Sequence, residues 1–469
     1  MPNRPARLPR APVLLATALL GGCATFHPLP LDNGRGVSRV ADLKVPASAM
    51  PTPALRAYTF DPANGLDVTE VAMLAVANDP QLRVQRDKAG VAQAQAYAAG
   101  LLPDPSVSYE HDRPTSNQPG TTDSYTASLS YDLGNLITRS ARVKSARAGA
   151  QQVDLDLLWS EWQTIAEART LFDQVYFQRK LIARLEAERA ALAPVQSAIT
   201  RALHAGDLTY DSASAGLNAA SDVGNQLADA QRQLNLAEHD LHDLLGLDAS
   251  VPLHLVGGPF TVEPNGDEVQ RALADMTQRR PDLLALQAGY RAQNQTLRAA
   301  ILAQFPALTV GFVRARDNSN ISSAGFSVSL SLPLFDGNRG NIAIERATRQ
   351  QLHDEYSARL LTDRNDVQRL LADLESDRTQ LAALRLHAAQ LAQAREVAKT
   401  NYAAGRLDWP TYLAIRANSL AADSTLLALE QNSHENAIAL DALVGNWPDA
   451  SLANNDQQHW SAKNAKNSR

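Results

Sequence analysis

The chain is 469 residues long with a net charge of −6, a balance that excludes an electrostatic nucleic-acid binder. Hydrophobic residues make up 45% of it but aromatics only 5%, so Ala and Leu carry the apolar content, which suits helix-on-helix packing. No run of eighteen or more apolar residues occurs, and no transmembrane helix is expected.

Arg4, Arg7 and Arg10 precede "APVLLATALLGG", which is too short to span a bilayer and has the layout of a secretion signal over 1–22. It closes in Leu20-Gly21-Gly22-Cys23, and Cys23 is the chain's single cysteine. That ending resembles the bacterial lipobox, which implies lipidation of Cys23 and a mature chain that begins there. Ala24 follows in place of the Asp associated with inner-membrane retention, so the resemblance implies delivery to the outer membrane. A cysteine so used forms no disulfide, and packing alone must hold the fold. Residues 23–65 are Pro-rich without periodicity and are expected to run as an extended tether.

From there the chain repeats itself over 66–246 and 266–446, with a linker at 247–265 and a polar, disordered tail expected at 447–469. Gly206 in "HAGDLTYDSASAGLN" recurs as Gly405 in "AAGRLDWPTYLAIRAN", and Gly246 in "LLGLD" as Gly445 in "LVGNW". Upstream, Pro103 corresponds to Pro306 and Leu129 to Leu330, in the same order and at nearly the same offset.

Each repeat opens with a short helix, Leu82 to Ala99 or Leu283 to Gln304. Two alternating runs follow, as β-hairpins within 103–134 and 306–335 closed by the polar turns "RPTSNQPGTT" and "RDNSNISS". The last run, "GFSVSLSLPLFDGNRGN", sets Phe326, Val328, Leu330, Leu332 and Leu334 on one strand face and Ser327, Ser329 and Ser331 on the other. Long helices then run from Leu136 to Leu203 and from Asn341 to Ala403, each about 95–100 Å if continuous. Pro194 should kink the first or mark a break.

Gly206 and Gly405 stand where a helix end needs a left-handed residue, and Thr209 and Asp408 are N-cap types for the helices that return. Each repeat therefore contains an αα-hairpin with a tight tip. The returning helices, about Thr209 to Leu245 and Trp409 to Val444, carry heptad seams. One runs through Leu217, Val223, Leu227, Leu234, Leu241 and Leu244, the other through Tyr412, Ser419, Leu426, Leu429, Leu440 and Leu443. These helices reach only about 55 Å, so the short helices before the β-hairpins are expected to stack end to end on them.

Four strands are too few for a closed barrel, for which about eight is the practical minimum. Open edges cannot sit in hydrocarbon, so the strands need sister chains, with apolar residues facing lipid and serines lining a wet lumen.

The strand pairs, "LDVTEVAMLAVANDPQL", "LPLFDGNRGNI", the AG-x-L tips and the closing "LVG" together resemble the TolC-like outer-membrane efflux proteins. The resemblance spans about Leu66 to Gly445. It implies a mainly α fold with a small β part. Tandem long-helix hairpins would form an α-helical barrel, and four strands per chain would join a trimeric twelve-stranded transmembrane β-barrel. It further implies a passive exit duct in outer-membrane lipid, partnered by a periplasmic adaptor and an inner-membrane pump. "SLSLPLFDGNRGN" is similar to the heavy-metal cation branch, partnered by resistance-nodulation-division pumps, although the substrate, a metal cation or a small toxic organic, is not legible.

The tip residues Gly206, Asp207, Leu208, Asp211, Gly405, Arg406, Leu407, Asp408 and Trp409 would form the entrance and adaptor-docking surface, with Asp207, Leu208, Arg406 and Leu407 exposed. Family members carry entrance aspartates six and nine residues past the second tip glycine; here those positions hold Thr411 and Ala414, with Ser212 and Ala215 in the first repeat. Either Asp207, Asp211 and Asp408 supply a displaced acidic ring, or apolar contacts such as Leu407 and Trp409 gate the entrance.

No HExxH, GxSxG, P-loop or dinucleotide glycine pattern occurs, so an enzyme with a catalytic site or cofactor is not expected. His239 and His242, three apart among acids, are a metal-ligand face or else histidines favoured by a helix C-terminus; the second reading is preferred, and no metal site is expected. The competing overall reading is a coiled-coil structural lipoprotein without a channel, which leaves the paired strands unexplained.

Overall fold

The computed structural model describes residues 26–444 other than 32, 33, 35, 47, 49, 116–118 and 262–265. Cys23, the signal segment 1–22 and the tail 447–469 lie outside the described residues. Two compact units are distinguished, 1–36 and 37–469. The described part of the first is without helix or strand; all that follows concerns the second.

Its opening stretch is less of a tether than the sequence suggests. A short helix, α1 (Pro53–Ala57), lies within it, and Met50 and Leu55 are buried in a core with Leu74, Phe172 and Leu245. Val37 and Leu66 form parallel bridges to Leu247 and Leu255 of the linker. Irregular chain buries apolar side chains as well as a helix does, but it leaves no period to read.

The first repeat continues with α2 (Val68–Asn78), α3 (Pro80–Gly100), β1 (Ser106–Asp112), β2 (Ser124–Asp132), α4 (Gly134–Ala205) and α5 (Tyr210–Leu245). The second gives α6 (Gly266–Arg279), α7 (Pro281–Leu302), β3 (Ala307–Arg316), β4 (Ser322–Ser331), α8 (Arg339–Ala403) and α9 (Trp409–Val444). Each short helix foreseen from the sequence is thus preceded by another, broken from it at Pro80 or Pro281. Asp67 opens α2 with a capping box, accepting from the backbone N–H of Thr69 and Glu70 while Glu70 reaches back to its own. Gly246, at the end of α5, lies against Asn78 and Pro80, so α5 and α3 meet end to end as expected.

α4 spans 72 residues, roughly 110 Å, and runs through Pro194 without a break. Leu192 and Val195 on either side are buried against the neighbouring hairpin, and that packing outweighs the one backbone hydrogen bond proline removes. No described helix is long and apolar enough to cross a membrane.

The strands form one antiparallel sheet in the order β1-β2-β3-β4. The middle ladder, β2 on β3, joins the two repeats, and β1 and β4 are its open edges. β4 stops at Ser331, one residue short of Leu332, so Leu332 and Leu334 are outside the strand that the alternation assigned them to. Pro333 has no N–H to continue a ladder, and the Leu334 N–H turns back to the Leu332 carbonyl at 2.9 Å.

Candidate functional site

The sheet has two chemically distinct faces. Across its four strands Val107, Leu129, Phe312 and Phe326 stand in register, followed by Tyr131, Val310 and Val328 and by Leu308 and Leu330. Phe312 and Phe326 pack edge to face with centroids 5.8 Å apart, and Phe326 is 90% exposed. The alternate positions carry Ser108, Ser128, Ser130, Thr309, Ser327, Ser329 and Ser331, with Gly311 between Ser130 and Ser327. An apolar side chain this exposed is unfavourable in water and favourable in hydrocarbon, whereas hydroxyls suit a wet surface. β2, β3 and β4, of nine or ten residues, match the length a tilted strand needs to cross a bilayer, and β1, of seven, is shorter.

At the other end of the long helices, Gly206 and Gly405 have φ of 81° and 69°, the left-handed geometry that the tips demanded. The backbone N–H groups of Asp207 and Arg406 return to the carbonyls of Ala202 and Asn401 at 2.9 and 2.8 Å. Thr209 caps α5 by accepting from the Ser212 N–H at 3.2 Å, and Asp408 caps α9 by accepting from the Thr411 N–H at 2.7 Å. Hydrogen bonds from Thr411 hold the Asp408 carboxyl below its ordinary pKa, so it is ionised at neutral pH.

Gly206, Asp207, Asp211, Gly405, Arg406 and Asp408 are exposed. Leu208, Leu407 and Trp409 are instead half-buried against the apolar cluster between the hairpins, so the leucines stand out from the tips less than the sequence suggested. Trp409 lies on Gly216 of α5, where an added Cβ would come within 3.2 Å of its ring and 2.2 Å of the Ile199 side chain. The two tips are thus brought side by side. Thr411 and Ala414 are exposed on the first turns of α9, and the three aspartates Asp207, Asp211 and Asp408 supply the local negative charge.

Above the tips lies a polar cluster that sequence reasoning missed. Arg416 donates to both oxygens of Glu188 at 2.7 and 2.8 Å and to the Tyr412 hydroxyl at 2.9 Å. Tyr412 stacks on Tyr402 of α8, with centroids 4.5 Å apart. Arg184 bridges Glu188 and Asp423, which also receives Arg395 at 3.4 Å. Burial works against the Arg416 charge, but Glu188 and Tyr412 together outweigh it and raise the pKa. The cluster ties α4, α8 and α9 together. Its members fall at coiled-coil spacing among ordinary surface charges, and the one signal available was that Arg416 lies one turn past Tyr412, on a side of α9 next to its seam.

His239 and His242 do not form a metal face. Both His242 ring nitrogens face backbone carbonyls, Glu238 and Val251, and His239 faces the Asn235 carbonyl at 2.7 Å. No group of three potential ligands occurs among the described residues.

A family model described as outer membrane efflux protein matches residues 272–446, most of the second repeat. The pyoverdine export outer membrane protein OpmQ of Pseudomonas aeruginosa is 24% identical over 93% of this chain and 96% of its own length. Over nearly its whole length the chain is thus similar to outer membrane efflux proteins of the TolC-like kind. The outer membrane protein OprJ of the same organism is 30% identical over 188 residues, a match that spans 37% of this chain and 39% of OprJ. The Campylobacter jejuni CmeC outer membrane channel has the same fold, with a TM-score of 0.68 at 15% identity over 83% of this chain and 88% of that one. The mainly α architecture with a small sheet, read from the duplicated sequence, is that of the efflux family.

Proposed function

We propose that this protein is the outer-membrane exit duct of a tripartite efflux system. Three copies pair β4 of one with β1 of the next, closing twelve strands into one barrel, while the helical hairpins continue it as a tube into the periplasm. The sheet carries this reading: it has one apolar and one hydroxyl face, two open edges, and all its helices at one end. Exposed edges with an apolar face are unstable in water and in lipid alike until a further strand covers them. A coiled-coil scaffold without a channel gives these strands no role.

Substrate arrives from an inner-membrane pump through a periplasmic adaptor that docks at the exposed tip residues around Gly206 and Gly405. A wide duct lined by hydroxyls conducts passively, so the pump selects the cargo, a metal cation or a small toxic organic. Cys23, outside the described residues, adds a lipid anchor at the membrane.

Two measurements on the full chain in detergent test the proposal. Native mass spectrometry is expected to give a trimer with an acylated Cys23, and reconstitution into planar bilayers is expected to give stepwise conductance without an energy source. A stable monomer that inserts without conductance would overturn it.

A further inference from the structure

The charged residues of the sheet are sorted by face. The strand acids Glu110, Asp112 and Asp132 all lie on the hydroxyl face, whereas Arg314 and Arg316 both lie on the apolar face. The arginines occupy its loop end, two and four residues beyond Phe312, where β3 runs toward the turn at 317–321. Across the ladders, Arg316 stands opposite Tyr125, which stands opposite His111, and Tyr125 stacks on Tyr109 with centroids 6.4 Å apart.

Part of this charge is already engaged. The Arg316 guanidinium lies 5.5 Å over the Tyr125 ring and donates to the Asp123 carbonyl at 3.3 Å, and the Asp123 carboxylate lies 3.5 Å from His111 and 3.7 Å from Arg113. Arg314 is exposed and has no ion pair among the described residues. A guanidinium on a lipid-facing strand is costly at the bilayer centre and nearly free at the interface, and tyrosines favour the same level. The hydrocarbon boundary therefore falls between Phe312 and Arg314. If the helices extend into the periplasm, this boundary belongs to the outer leaflet.

Resting on the exit-duct reading, we propose that Arg314 and Arg316, flanked by Tyr109 and Tyr125, bind the phosphate groups of the phosphorylated glycolipid in the outer leaflet. Arginine is suited to this because its planar fork meets phosphate oxygens in pairs. The same acids on the apolar face would repel such headgroups, and there the strands have none.

The test is native mass spectrometry of the detergent-solubilised full-length protein with bisphosphorylated lipid A and with its dephosphorylated form. Wild type is expected to retain the phosphorylated lipid preferentially. Arg314→Gln with Arg316→Gln is expected to lose about 25-fold in retention, two near-surface cations each contributing about fivefold. Arg314→Lys with Arg316→Lys should keep most of the binding, and Arg406→Gln at the tip all of it. Should the glutamine pair fail to assemble, Arg314→Gln alone carries the test. Equal retention by wild type and the glutamine variant, or equal retention of both lipids, overturns the inference and leaves the duct intact. Uptake of neither lipid by wild type also overturns the inference, whereas the duct reading stands or falls on the trimer and its conductance.

Discussion

At the tips, one residue decides the chain's path. A Cβ on Gly405 would meet nothing within 4 Å, so a substitution there acts through its positive φ and not through a clash. Gly405→Val is expected to cost about 1–2 kcal/mol, confined to the turn. Leu407→Asp instead places a charge against the half-buried side of the tip cluster. In a strain whose resistance depends on this duct, both variants are expected to abolish export while expression and trimer yield persist. Normal export by both would show that the adaptor binds elsewhere. These positions were legible because the left-handed turn and the N-cap each admit few residue types. The half-burial of Leu208 and Leu407 was not, because it depends on how two hairpins 199 residues apart in the chain lie against each other.

Between elements, the Glu188–Arg416 pair holds α9 of the second repeat against α4 of the first. Glu188 is 1% and Arg416 6% exposed. Removing one partner leaves a buried charge, so Glu188→Leu and Arg416→Met are each expected to destabilise by about 3–5 kcal/mol. Glu188→Leu with Arg416→Met should cost less than either single change, because no orphan charge remains. Denaturant melts of the purified trimer give the double-mutant cycle; single changes indistinguishable from wild type would mean that the pair is not load-sharing. Heptad seams were visible in the sequence because Val223, Leu227, Leu241 and Leu440 repeat at the right spacing, and all are buried. A second packed face escaped notice because a paired arginine looks like a solvated one until its carboxylate, 228 residues away, is known. Likewise, β4 appeared longer than it is because alternation continues through Leu332 and Leu334, and only the missing N–H of Pro333 speaks against it.

For the molecule as a whole, the linker between repeats is fastened at Phe260. Its N–H donates to Asp173 of α4 at 3.0 Å, its carbonyl accepts from His434 of α9 at 2.9 Å, and its ring lies 3.7 Å beneath the Arg169 guanidinium. The Asp173 carboxylate, 3.5 Å from the imidazole, raises the His434 pKa against the effect of burial, and burial raises that of Asp173. A raised histidine pKa contributes stability that is complete below its ordinary value near 6.5 and is lost as pH rises through the raised value. Melting temperature is therefore expected to fall as pH rises above the ordinary histidine value of about 6.5, and His434→Gln should flatten that fall. An unchanged slope in the variant would assign the pH dependence to other groups.

The strand order has a genetic consequence. The free edges, β1 and β4, are different surfaces, so in the proposed trimer copies join head to tail. A proline that blocks hydrogen bonding along the outer edge of β4 then leaves not one defective subunit but one unclosed ring. Co-expressed with the wild type, such an allele would be dominant: intact ducts would fall as the cube of the wild-type fraction, and resistance would collapse well before the normal protein became scarce.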